Sequence, residues 1–132
     1  ILLAKYFLLN NSWQVAIGLS TIIGHIWPVW LNWKGGKAVA TGLGVFLGLS
    51  YQVGLATLGV FLIMIILFRI VSLASVTAAI CLPIIMFLSF YNSNISMPFL
   101  LISLLASALV IWRHRENINR LIKGKEPKIG QN

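Results

Sequence analysis

Along this chain, polar residues fall in short islands between long apolar runs, and the islands set where helices can begin and end. Residues 1–9 read as the end of an upstream helix with Lys5 snorkelling near its terminus, and Asn10, Asn11 and Ser12 predict a short external turn. A first complete span is expected over residues 13–31. It carries Gly18, Ser20 and Gly24 for close packing, ends in an interfacial belt of Trp27, Trp30 and Trp33, and should be kinked by Pro28. Residues 38–68 form an apolar run of about thirty residues, too long for one straight crossing and just enough for two. A bend near Tyr51, Gln52, Val53 and Gly54 would make that run a hairpin. After Arg69, a span to about Tyr91 is kinked at Pro83 and leads to a polar external turn over residues 92–96. The last span, residues 98–112, should continue as helix beyond the membrane through Leu121.

Charge chooses the hairpin over a single crossing. With it, Lys34, Lys37, Arg69 and the basic C-terminal residues share one side, leaving Lys5 alone on the other, as the positive-inside rule requires. The chain has 132 residues, of which 59% are hydrophobic and 9% charged, and a mean hydropathy of +0.95. That excludes an ordinary soluble domain. The runs are continuous rather than alternating, so the fold class is an all-α integral membrane protein, a polytopic helical bundle with about five transmembrane helices. Residues 1–132 read as one membrane domain. Within it, residues 1–12 are the end of an upstream helix and an external turn, and residues 113–132 a basic cytoplasmic tail. The opening on Ile1, without initiator methionine or signal-peptide features, leads us to expect an N-terminally truncated fragment or one part of a split protein.

The net charge of +8 lies at the ends of apolar runs, which points to anionic lipid or an anionic substrate and not to nucleic acid. The lone Cys81 sits in an apolar stretch and reads as filler. The chain has no aspartate, no acidic cluster and no Cys–His pair expected to meet, so neither metal nor other cofactor is expected.

The main chemical feature is a polar island over residues 24–42, where Lys34 and Lys37 flank Gly35 and Gly36. Two adjacent glycines allow close backbone approach and left-handed turns, forming an anion nest, and a helix starting at Ala38 would add its N-terminal dipole. The stretch Gly24-His25-Ile26-Trp27-Pro28-Val29-Trp30, followed by Trp33-Lys34-Gly35-Gly36-Lys37 and Val39-Ala40-Thr41, resembles the second motif of the PlsY family, bacterial membrane glycerol-3-phosphate acyltransferases that use acyl phosphate. His114-Arg115, Asn117-Ile118, Arg120-Leu121, then Gly124, Glu126 and Lys128, resemble the third motif. Residues 69–75 also match a segment typical of that family. The chain departs from the pattern at Ala38, where the family usually has glycine and where a methyl is expected to crowd the phosphate. The family's first motif, a Ser- and Arg-containing stretch, is absent.

The resemblance implies attack of the 1-hydroxyl of glycerol 3-phosphate on an acyl phosphate, giving lysophosphatidic acid and inorganic phosphate in phospholipid biosynthesis. The site would face the cytoplasm at a bacterial plasma membrane. An acyl phosphate is already activated, so the protein need only hold two phosphates, align the hydroxyl and stabilise oxyanion charge. By carry-over, Lys34, Gly35, Gly36, Lys37, Thr41, Ser72, Arg120 and Glu126 are expected to bind substrate, with His25, His114 and Asn117 at the catalytic centre. His25 has two readings, orienting the loop or touching substrate; the general base is a histidine or a substrate phosphate. On the last helical stretch, Arg113, Asn117 and Arg120 share a face as a second phosphate wall, and Glu116 is placed to pair with Arg120 at i,i+4. The other large class of glycerolipid acyltransferases uses His-x4-Asp, but Trp30 and Asn119 stand at the Asp position after the two histidines. An anion transporter or channel subunit and a non-catalytic scaffold for anionic lipid are the alternatives from other classes. Membrane lipid and an upstream segment carrying the first motif are the expected partners.

Overall fold

The computed structural model describes residues 1–93 and 95–130. Among these are seven α-helices: α1 (Leu2–Tyr6), α2 (Asn11–Ile26), α3 (Val39–Leu49), α4 (Tyr51–Phe68), α5 (Val71–Ser93), α6 (Met97–Arg113) and α7 (Arg115–Ile122), with a short 3-10 helix at Val29–Leu31. The five apolar helices α2 to α6 correspond to the expected bundle. By length and composition, Asn11–Leu31, α4 and Val71–Tyr91 can each cross a bilayer, and α6, 17 residues long, is the fourth before the chain bends by 60° into the polar α7. α3 has only 11 residues.

Local chemistry places the boundaries. The Asn10 side chain accepts a hydrogen bond from the Trp13 backbone N–H at 3.0 Å, so α2 begins at Asn11 and takes in two of the three residues expected as a turn. Pro28 ends α2 instead of kinking it. The residue before a proline is driven out of the helical region, and Trp27 leaves it at φ −127°, ψ 67°. The long apolar run breaks at Ser50, within a residue of the expected bend, and α3 and α4 fold onto one another. A Cβ at Gly54 would lie 2.7 Å from the Leu47 backbone nitrogen, so only glycine permits that closure. α5 runs through Pro83 without a break in the helix. The turn expected over residues 92–96 falls partly outside the described residues.

The centre of the bundle is filled by Ile22 and Ile26 of α2, Phe46 of α3, Val53 of α4, Met86 of α5 and Ile102 of α6. The outward faces carry exposed Ile63 and Ile66 on α4 and Leu101 and Leu105 on α6, as lipid contact demands.

As expected, helix continues beyond α6 through Leu121, and it bends by 60° at His114 into α7. The polar, turn-rich residues that follow are tied back to the bundle. Gly124 turns at φ 64°, and the Ile129 N–H donates to the Arg69 carbonyl at 2.7 Å, so residues 123–130 form a strap returning across the bundle end.

Candidate active site

The bend at His114 and the start of α3 bring the two halves of the polar sequence together. Lys37 Nζ donates to Asn117 Oδ1 at 2.7 Å, Asn117 Nδ2 donates to Glu126 Oε1 at 2.6 Å, and Arg120 Nε donates to Glu126 Oε2 at 2.7 Å. Each bond involves an ionised group, the strong class of hydrogen bond. The chain Lys37–Asn117–Glu126–Arg120 thus joins the glycine loop, α7 and the strap. Glu126, not Glu116, is the partner of Arg120. The strap delivers a carboxylate to the Nε edge of the guanidinium, whereas the i,i+4 pair on α7 would gain only a few tenths of a kcal/mol.

The Glu126 side chain is 5% exposed. Burial alone would raise its pKa, but the Ser72 hydroxyl, the Asn117 amide and the Arg120 guanidinium outweigh it and hold the carboxyl down at about 2. Ser72 Oγ is buried beside the carboxylate, close enough to favour its charged form but without a hydrogen bond of good geometry, so the hydroxyl is only loosely engaged there. His114 is 2% exposed. Burial pushes its pKa down, its bond to Val110 works against that, and the Lys37 ammonium adds to the lowering while Glu126 opposes it. The ring is therefore neutral at pH 7. Its Nδ1 lies 2.8 Å from the Val110 carbonyl, an acceptor, so Nδ1 carries the proton and the Nε2 lone pair is left available.

These groups line one end of a cavity of about 480 Å³. Lys37, Ser72, His114, Asn117 and Glu126 are the polar end, and Leu43, Phe46, Leu58, Phe61, Leu82 and Val110 are among its apolar walls. With His114 neutral, two cations face one carboxylate, so the polar end carries a net positive charge.

Not every expected site residue reaches this cavity. Arg120 touches it through Glu126, while Lys34, Gly35, Gly36, His25 and Thr41 do not line it. His25 Nδ1 instead lies 3.0 Å from Thr41 Oγ1, and its backbone carbonyl accepts the Gly36 N–H at 3.2 Å. Of its two readings, the contacts are those of a loop-orienting residue. Lys34 is exposed to solvent. The nest expectation is corrected in one respect: neither Gly35 nor Gly36 has positive φ, and the left-handed residues are Asn32, Trp33 and Ala38. Both glycines are needed for closeness. A Cβ at Gly35 would strike the His25 and Ile26 carbonyls, and one at Gly36 would strike the His25 ring. Ala38 takes the conformation that favours glycine, φ 58°, just before α3.

One residue takes a different place from the expected one, and another escaped the sequence reading. Arg113, expected on the phosphate wall, turns to the loop backbone. Ser107 also lines the cavity, and its spacing with Val110, His114 and Asn117 along one face was the signal that could have found it.

The fold and the site define a helical membrane-bundle protein with a cavity that is cationic and hydrogen-bonding at one end and apolar along its walls. Residues 1–124 match the family described as glycerol-3-phosphate acyltransferase, and the chain belongs to that family. It is 83% identical over 131 residues to the glycerol-3-phosphate acyltransferase of Prochlorococcus marinus strain NATL1A, covering 99% of this chain and 66% of that protein. The corresponding protein of Parasynechococcus marenigrum strain WH8102 is 59% identical over 131 residues, covering 99% of this chain and 60% of the relative. Crystal structures of PlsY, an integral membrane glycerol 3-phosphate acyltransferase, in a glycerol 3-phosphate form and a lysophosphatidic acid form, each superpose with TM-score 0.85 at 39% identity. The match covers 96% of this chain in both cases, and 62% and 63% of the PlsY chains. The chain spans just under two thirds of the length of these relatives. It is a multi-pass protein of bacterial membranes, related to cyanobacterial enzymes.

Proposed function

We propose that this chain supplies most of the catalytic site of an enzyme that transfers an acyl group from acyl phosphate to the 1-hydroxyl of glycerol 3-phosphate. The observation that carries the reading is the cavity of about 480 Å³, cationic and hydrogen-bonding at one end and apolar along its walls. Such a space suits an acyl chain ending in a phosphate anhydride, with a second phosphate held beside it. Support comes from the names of the relatives and from the glycerol 3-phosphate and lysophosphatidic acid forms of PlsY.

In the reaction, the substrate hydroxyl oxygen attacks the acyl carbonyl carbon. An ester C–O bond forms, the bond from that carbon to the phosphate oxygen breaks, and phosphate departs with the electron pair. Lys37 and Asn117 hold phosphate, and the Ser72 hydroxyl donates to it or to the developing oxyanion. The hydroxyl proton has two acceptors here, the free Nε2 of neutral His114 and the departing phosphate. Arg120 acts through Glu126, keeping Asn117 aimed at Lys37. His25 and Thr41 position the loop from its other side, and Gly35 and Gly36 let it approach closely. The site lies at the cytoplasmic face, because Lys34, Lys37, Arg69 and the strap gather there under the positive-inside rule. A cysteine at position 37 that reacts with an impermeant reagent only from outside intact cells would overturn that placement.

The decisive assay measures acyl-phosphate-dependent formation of lysophosphatidic acid by residues 1–132 alone and with an upstream segment carrying the family's first motif. Alone, the chain is expected to be inactive, since positioning accelerates a reaction only when both reactants are held. Robust turnover by the chain alone would remove the need for the upstream wall, and no turnover in either preparation would sink the acyl-transfer reading.

A further inference from the structure

We infer that Arg113 is a positioning residue that locks the glycine loop into the register in which Lys37 meets its phosphate, an inference that rests on the acyl-transfer reading above. Its guanidinium makes a two-point contact with the loop backbone. Nη2 donates to the Gly35 carbonyl at 2.8 Å and Nε to the Gly36 carbonyl at 3.1 Å. The peptide unit between the two glycines is therefore tied at both ends, its carbonyl to Arg113 and its N–H to the His25 carbonyl at 3.2 Å. A peptide plane held from opposite sides cannot swing. The following carbonyl, on Gly36, is held by the same guanidinium.

Lys37 comes next, and its ammonium reaches Asn117, which lies four residues after Arg113. Arg113 thus fixes the loop backbone and Asn117 fixes the lysine head. The guanidinium is itself supported: its carbon sits 5.7 Å from the centre of the Trp112 ring, and Trp112 stacks on Trp27, at the other end of the loop, with centroids 5.7 Å apart. Lysine could not replace it fully, since an ammonium is a single point and cannot span two carbonyls in fixed geometry. The loop's rigidity therefore comes from a residue more than seventy positions away.

The test uses the full-length protein, this chain preceded by its upstream segment, with Arg113→Gln and Arg113→Lys. In Arg113→Gln, KM for glycerol 3-phosphate or for acyl phosphate should rise by about tenfold with a smaller fall in kcat, and Arg113→Lys should restore part of the loss. Hydrogen exchange at the Gly36 amide should quicken by a similar factor in Arg113→Gln while the Ile129 amide of the strap stays protected. A merely structural role would lower the yield of folded protein without moving KM or separating these two amides. Unchanged KM values, or unchanged Gly36 exchange, in either folded variant overturn the inference; if the glutamine variant does not fold, the lysine variant is read by the same criteria. Absence of acyl-phosphate turnover in the wild-type protein would sink the acyl-transfer reading instead, and Gly36 exchange would still decide whether Arg113 holds the loop.

Discussion

Replacing Glu126 by glutamine should loosen the strap that closes the polar end of the cavity. The wild-type carboxylate accepts hydrogen bonds at 2.6 Å from Asn117 and 2.7 Å from Arg120, and glutamine keeps only one acceptor oxygen for the two donors. The drop in the carboxyl pKa from 4.5 to about 2 corresponds to about 3 kcal/mol of preference for the charged form. Arg120 is 45% exposed, so solvent screens its share, and about 1–2 kcal/mol is the fair expectation for the docked strap. At pH 7 the variant should therefore open about 5–30 times more often. Hydrogen exchange at the Ile129 amide, which bonds to the Arg69 carbonyl, reads this directly once intrinsic rates are removed. The sign with pH follows from a depressed carboxyl pKa. Its contribution is complete above pH 4.5 and is lost as pH falls from there through about 2, so wild-type protection should decline across that window while the variant's should not. Equal protection in the two proteins at pH 7, or wild-type protection flat down to pH 3, would refute the reasoning.

Two substitutions in the loop complete the set. Lys37→Ala in the full-length protein removes the ammonium bonded to Asn117 and should cost about 1.5–3 kcal/mol of transition-state or substrate binding, roughly ten- to a hundredfold in kcat/KM; wild-type kinetics at equal expression would place Lys37 in a structural role. Ala38→Gly relieves about 1–2 kcal/mol of left-handed strain but loses about 1 kcal/mol of chain entropy and about 0.8 kcal/mol from one buried methyl, so it should be close to neutral in thermal melts. Ala38→Val, β-branched at positive φ, should lower the melting temperature clearly, and a large stabilisation by glycine would contradict this balance.

The balance expected at Ala38 is how a methyl can stand where the family usually has glycine. It also marks what could be read from residues alone. Apolar run lengths and the sidedness of Lys34, Lys37 and Arg69 were enough for the five-helix bundle and for the break near Ser50, because hydrocarbon thickness leaves few other solutions. Asn10 carried the signal for an earlier start to α2, since asparagine before a helical run is a capping residue. Other features depended on tertiary contacts that no spacing encodes. The left-handed turns fall on Asn32, Trp33 and Ala38 because Gly35 and Gly36 are pressed against His25 and Pro28, where lack of a side chain matters more than freedom of φ. The i,i+4 rule offered Glu116 to Arg120, but the turn at Gly124 brings Glu126 in from the strap. Likewise, His25 turns to Thr41 while His114 lines the cavity, a division that motif order does not encode.

Charge at the polar end gives an independent reason to expect a further wall. Each substrate phosphate carries a charge of about −1.5 to −2 at pH 7, by analogy with phosphate monoesters. Lys37 and Arg120 supply two positive charges, and Glu126 cancels one of them. His114 adds none while burial keeps it neutral. Two phosphates therefore meet a site whose own charge falls short by two or more, and beside apolar walls that shortfall is unfavourable. Lys34 does not line the cavity, and Arg113 is committed to the glycine carbonyls. We propose that the upstream segment supplies the missing charge; the arginine of the family's first motif is of the right type, since guanidinium forks match phosphate oxygens and do not lose their proton. On this reasoning the upstream segment completes the electrostatics of the site as well as its walls. Supplying that segment with its arginine changed to glutamine should then restore helix packing but little turnover, whereas full activity from the glutamine version would show that the charge deficit is met in some other way.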